Sequence, residues 1–206
     1  MSNDTPKTPV SAKREAILDG AITCFLEHGY AATSMDSVAA EAGVSKATIY
    51  AHFSSKADLF SAVIIRRCEG GLNSDAQWPK DELDARTTLT KMGRSLLEFM
   101  TSLETLSIHR VVVAEAIRQP ELASAFWDSG PCRFFPRISE RFADLDRRGE
   151  LKTPTPMFAA MMFVNLIKSE YFFCRLLGLP KGTELMSADE TVETAVNVML
   201  KAYAPD

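Results

Sequence analysis

A chain of 206 residues with 46% apolar and 24% charged side chains is long enough to bury a core, and ten glycines with ten prolines exclude a low-complexity or disordered polymer. A net charge of −4 excludes a uniformly basic coat for nucleic acid, so any phosphate-binding charge has to be local. Cys24, Cys68, Cys132 and Cys174 form no CxxC pair, which suggests neither a disulfide framework nor a zinc site and fits a reducing, cytoplasmic setting.

The first ten residues, MSNDTPKTPV, are polar and proline-punctuated and read as a flexible arm without the apolar core of a signal peptide. From Ser11, the side chains Ile17, Leu18, Ala21, Ile22, Phe25 and Leu26 share one helical face, and Gly29 followed by Tyr30 predicts a glycine stop. Thr33, three residues before Asp36, has the spacing of a capping box for a short second helix carrying Met35, Val38, Ala39 and Ala42. Gly43 supplies the turn, and Ser45 caps a third helix over Lys46 to His52. Ser55 with Asp58 starts a fourth helix that places Leu59, Phe60, Val63 and Ile64 inward and runs to about Glu69. Gly70, Gly71, Asn73, Trp78 and Pro79 then mark a break.

Beyond the break, helices are predicted over 84–103, 106–118, 121–129, 132–147, 156–177 and 188–202, separated by Pro120, Gly130-Pro131, Gly149, Pro154, Pro156, Gly178 and Pro180. No run alternates as a strand does, so the fold class is all-α. Three short N-terminal helices with helix-turn-helix spacing, expected to bind DNA, are followed beyond the break by a C-terminal helical bundle. The expected division is an arm at 1–10, a helix-turn-helix domain at 11–54, a connecting helix and loop at 55–80, and a larger helical domain at 81–206. The helix over 156–177 is apolar on nearly every side and is expected to pack both internally and against a second subunit. Its longest apolar run, Met157 to Ile167, is too short to span a bilayer, so no membrane partner is expected.

Residues 1–70 carry seven basic groups against eight acids, but Ala42 to Ala57 holds Lys46 and Lys56 and no acid. In a helix-turn-helix, that stretch is the one presented to the major groove. Lys46, Tyr50, His52 and Lys56 offer donors over about two turns. Thr33 and Ser34 offer hydroxyls and backbone N–H groups at a helix start, where phosphate is favoured. Val44, Ile49 and Phe53 read as the core that holds the presented helix.

The segments Phe25-Leu-Glu-His-Gly-Tyr30, Val38-Ala-Ala-Glu-Ala-Gly-Val-Ser-Lys46 and Thr48-Ile-Tyr50, with Thr33, His52-Phe53 and Ser55-Lys56, resemble the DNA-binding domain of the TetR family of bacterial repressors over about residues 11 to 65. The resemblance implies that Ser45, Lys46, Ala47 and Thr48 lie nearest base edges while Thr33, Ser34, Tyr50, His52 and Lys56 grip phosphates. Ala51 departs from the pattern, since many members carry a second aromatic there. Further on, Ile108 to Arg118, Pro120 to Ala123, Phe126, Gly130-Pro131 and Arg175-Leu-Leu-Gly178 resemble the AefR-like C-terminal domain. That resemblance implies a homodimer formed through the last two long helices and a small-molecule effector bound among the central ones.

Polar or aromatic residues interrupting apolar helices are the effector-binding candidates: His109, Glu115, Arg118, Trp127 and Asn165. Phe158, Met162, Phe163, Leu166, Val192 and Val196 are the candidates for the dimer interface. No GxSxG, HExxH, P-loop or GxGxxG motif occurs, and His28, His52 and His109 lack metal-ligand spacing. The reading is therefore a transcriptional regulator with no catalytic residues, metal or cofactor. It is expected to be a repressor whose partner is double-stranded palindromic operator DNA and which a small molecule releases.

Overall fold

A computed structural model describes residues 9–72 and 84–205, and among these the regular structure is helical. The helices are α1 (Pro9–Ala32), α2 (Met35–Glu41), α3 (Lys46–His52), α4 (Lys56–Leu72), α5 (Ala85–Thr101), α6 (Leu103–Glu115), α7 (Pro120–Ser129), α8 (Pro131–Arg147), α9 (Pro156–Leu176) and α10 (Ala188–Ala202). All ten expected helices are present. The first eight residues of the predicted arm, and the part of the predicted break holding Asn73, Trp78 and Pro79, lie outside the described residues.

Two helix ends differ from expectation. The helical geometry of α1 breaks at Gly29 (φ 77°) as predicted, but one further turn carries the chain to Ala32. Gly70 and Gly71 do not end α4, which runs on to Leu72. The helix starts are set by side-chain caps. Ser34, rather than Thr33, caps α2: its hydroxyl accepts from Ser37 N at 3.0 Å, and Ser37 Oγ accepts from Ser34 N at 3.0 Å. Ser55 accepts from Asp58 N at 3.1 Å, while Asp58 accepts from Ser54 N at 2.8 Å.

The helices form two compact units. One comprises the chain up to Arg66 together with Arg110–Ser129, and the other comprises Arg67–His109 with the chain from Gly130 onward. The units therefore interleave along the chain, unlike the consecutive division expected, and α4 and α6 each contribute residues to both. A reading by sequence order cannot see this, because the second half of α6 and all of α7 return to the unit of the N-terminal helices.

In the first unit, Ile17, Leu18, Phe25, Tyr30, Val38, Ile49, Phe53, Leu59 and Phe60 are buried. The rings of Phe25, Tyr30 and Phe60 meet pairwise at 5.4–5.6 Å between centroids. Arg66 ties α4 to α1 through Glu15 at 3.2 Å and Asp19 at 2.8 Å.

In the second unit, α9 packs against α5, α8 and α10. By length and composition, α9 would qualify to cross a membrane, so the helix exceeds the short apolar run read from the sequence. Its inward side chains Ala159, Ala160, Phe163, Val164, Ile167 and Phe172 are nevertheless core residues of this unit. Gly93 of α5 allows the closest approach: a Cβ there would stand 3.0 Å from both Ile167 Cδ1 and Val192 Cγ1.

This packing corrects three interface assignments. Phe163 is fully buried and Val192 and Val196 nearly so, which makes them core of a single subunit and unavailable to a second one. Phe158 and Met162 point outward, at 55% and 39% exposure, beside Met161 and the exposed Asn165; Leu166 is half-buried. Asn165 thus lies on the outer face of α9, which removes it from an interior effector site.

Candidate nucleic-acid interface

The helix-turn-helix of α2 and α3 is held from beneath. Gly43 turns the chain at φ 64°, a conformation disfavoured for residues with a Cβ. Ile49, fully buried, and Phe53 anchor α3, so its opposite face, with Lys46, Ala47 and Tyr50, is exposed. Ser45 caps α3 by accepting from Thr48 N at 3.1 Å, and the two hydroxyls lie 2.8 Å apart. Both hydroxyls therefore set the start of α3 and remain at its outward tip.

Lys46 is the one lysine or arginine within α3, and its ammonium donates to Asp36 Oδ2 of α2 at 2.8 Å. That hydrogen bond, with the Asp36 charge, holds the amine above its ordinary lysine value. Both side chains are exposed, so screening by water and salt makes the pair easy to exchange for a phosphate or base partner. The Lys46 ammonium also stands 6.0 Å from the Tyr50 ring, which is 48% exposed. His52 ends α3 half-buried, its ring tilted against Phe53 at 6.3 Å. Ser34 is exposed at the α2 start.

Two expected phosphate ligands are engaged within the fold. Thr33 is 2% exposed, and its hydroxyl donates to Gly29 O at 2.8 Å and Cys24 O at 3.0 Å, closing the end of α1. Lys56 is half-buried, with its ammonium donating to Tyr30 O at 2.6 Å, Thr33 O at 2.9 Å and Ala31 O at 3.3 Å. It lies 4.4 Å from the Tyr30 ring centre. Burial lowers the Lys56 amine from its ordinary value, opposed by the charges of Glu121 and Glu115, and burial pushes the Tyr30 hydroxyl up to about 12. Lys56 is a clamp from the start of α4 onto the carbonyl end of α1, where a cation is electrostatically favoured.

The expected effector residues are divided between the two units. His109 belongs to the second unit, Glu115, Arg118 and Trp127 to the first, and Asn165 faces outward. Arg118 and Trp127 are exposed; Glu115 is half-buried and accepts from Gln119 Nε2 at 3.5 Å.

Around His109, polar and aromatic contacts link α4, α6 and α9 within the second unit. Its Nδ1 meets Thr105 O at 2.9 Å, and because a carbonyl only accepts, Nδ1 carries the proton. Burial lowers the ring's pKa, which favours the neutral imidazole. Arg67 of α4 donates to Thr105 Oγ1 at 3.2 Å and Ser102 Oγ at 2.6 Å. On the other side, the His109 ring meets buried Phe172 edge-to-face at 5.5 Å, and the Lys168 ammonium lies 5.3 Å from the same ring. The sequence reading passed over Lys168, although a lysine inside an apolar helix is the pattern that marks it.

Among the described residues, no group of three or more His, Cys, Asp or Glu side chains is placed to hold a metal.

Residues 17–63 match the family model for bacterial regulatory proteins of the tetR family, and residues 87–205 match the AefR-like transcriptional repressor C-terminal domain. The HTH-type transcriptional repressor AcnR of Corynebacterium efficiens is 26% identical over 196 residues, covering 95% of this chain and 98% of that protein. The HTH-type transcriptional activator FasR of Mycolicibacterium smegmatis is 33% identical over 94 residues, 46% of this chain and only 43% of FasR. Among solved structures, the flavonoid-responsive regulator FrrA superposes with a TM-score of 0.74 at 35% identity, covering 92% of this chain and 96% of its own.

Proposed function

The chain belongs to the TetR family of bacterial regulatory proteins, and we propose that it is a cytoplasmic homodimeric repressor released from a palindromic operator by a small molecule. The observation that carries this reading is α3 itself, anchored by Ile49 and Phe53 and presenting Lys46, Ala47 and Tyr50 outward. Ser45, Lys46, Ala47 and Thr48 approach base edges, while Ser34, Tyr50 and His52 approach phosphates. Thr33 and Lys56 support this surface from below without touching DNA.

The dimer contact uses the outer face of α9, centred on Phe158, Met161, Met162 and Asn165, with Val198 of α10 exposed as well. Such a dimer sets two α3 helices roughly 34–36 Å apart, one turn of DNA. Phe158→Glu is expected to produce monomers on a sizing column and to abolish cooperative operator binding, with the helical content retained. A variant that remains fully dimeric would remove Phe158 from the contact.

Control by a small molecule follows from the likeness to FrrA and from the way α4 and α6 each carry residues of both units. A ligand that binds better to the form unable to hold the operator shifts the population away from DNA, and one without that preference does nothing. AcnR is a repressor and FasR an activator; the match along nearly the whole of AcnR favours repression. Mobility shift on the DNA upstream of the chain's own gene, with transcript levels in a deletion strain, tests the proposal. Specific binding together with raised target transcripts supports it, whereas lowered transcripts would turn the reading to activation.

A further inference from the structure

A half-buried lysine in an apolar helix is costly unless something offsets its charge. Lys168 of α9 is such a group: among the described residues it makes no hydrogen bond or ion pair, it stands 5.3 Å from the Phe172 ring, and its charge opposes protonation of the His109 ring. Burial alone lowers its amine from the ordinary lysine value. Two other cations of this unit are paired: Arg67 with Glu104 at 3.4 Å and Arg94 with Asp189 at 3.2 Å. The backbone is strained at the next residue. Ser169 has φ 28° inside α9, the one non-glycine positive φ among the described residues, and its hydroxyl accepts from Tyr171 N at 3.4 Å. An unoffset charge beside a strained kink is an arrangement that a helix serving only as core would lose, since methionine at 168 removes the burial cost.

The surroundings narrow the ligand. Phe172 stands edge-to-face with His109 at 5.5 Å and with Phe173 at 5.6 Å, so the lysine lies at the end of an aromatic wall. We propose that Lys168 and Phe172 form the anion-recognising end of the effector site and take a small aromatic acid, its carboxylate on the Lys168 ammonium and its ring on the aromatic wall. This rests on the reading of the chain as an effector-controlled regulator. The polar contacts from His109 through Thr105 to Arg67 tie the site to α6 and α4, the two helices shared between units.

The test uses the full-length protein and two matched probes, 2-naphthoate and its neutral isostere 2-naphthamide, measured by calorimetry against wild type, Lys168→Met and Lys168→Arg. In wild type, the acid is expected to bind about tenfold more tightly than the amide, the scale of one charge-assisted contact. Lys168→Met should erase that preference while still binding the amide, and Lys168→Arg should keep it. Without ligand, Lys168→Met should melt at a higher temperature than wild type, an outcome that a structural role for the lysine would reverse. Failure of both probes to bind, an amide as tight as the acid, or a preference that survives in Lys168→Met overturns the proposal. Operator binding measured in the same samples separates the two readings. Acid bound through Lys168 without loss of DNA leaves the site standing and overturns effector control. Release of DNA by the acid independently of Lys168 does the reverse.

Discussion

Phe163→Ala is expected to destabilise the second unit by about 3–5 kcal/mol, the range for deleting a fully buried aromatic ring. Phe163 is completely enclosed, meets Phe142 edge-to-face at 5.8 Å, and lies where α5 approaches most closely, 3.4 Å from a Cβ placed on Gly93. Those neighbours are held by α8, α5 and α10, so the void left by the ring cannot collapse without moving several helices. In a chain of this size, each kcal/mol shifts the melting temperature by roughly 2–4 °C, so a fall of about 10 °C in thermal melting is the expected result. A variant that melts like wild type but runs as a monomer would return Phe163 to the subunit interface.

Lys56→Met is the second large effect, expected to cost roughly 2–3 kcal/mol in the first unit. Methionine keeps the stem that packs beside Tyr30 but deletes the donors serving the carbonyls of Tyr30, Ala31 and Thr33. These acceptors terminate α1, and losing a cation there also removes the favourable interaction with the helix dipole. Thermal melting and operator binding should therefore fail together, while the salt dependence of whatever binding remains keeps its slope. A phosphate-contacting Lys56 would behave oppositely, with unchanged melting and a slope reduced by about one.

How much was legible depended on whether the signal was local. Ser45 before α3, the Ser55–Asp58 pair before α4 and Gly43 in the turn act within four residues of themselves, and the structure uses them as expected. Thr33 was misread because Ser34, one residue on, has the same capping chemistry, which frees the Thr33 hydroxyl to donate back to Cys24 and Gly29. The partners of Lys56 are not local. Its acceptors lie 23 to 26 residues earlier, and a lysine at a helix start beside a DNA-facing helix looks the same whether it faces phosphate or a buried carbonyl.

The interface residues failed for want of phase. Phe158, Met162, Phe163 and Leu166 all sit on a helix apolar around most of its circumference, so periodicity could not separate the outward Phe158 from the enclosed Phe163. For α10 the single apolar stripe of Val192 and Val196 was seen correctly but assigned to the partner, although α5 and α9 already cover it. Lys168 carried a readable signal, a cation inside an apolar helix. The kink at Ser169 carried none, because serine has no sequence mark for positive φ.

The central claim is that the outward face of α3 reads DNA, and the Lys46–Asp36 pair gives its most direct test. Operator DNA, selected from genomic fragments by the wild-type protein, is titrated by fluorescence anisotropy across a salt series with wild type, Lys46→Ala and Asp36→Asn. The predicted result is weaker binding by Lys46→Ala, on the order of tenfold, and tighter binding by Asp36→Asn, which frees the ammonium and removes the carboxylate that holds it. Three superimposable curves at every salt concentration would contradict it and place the DNA contact elsewhere on the chain.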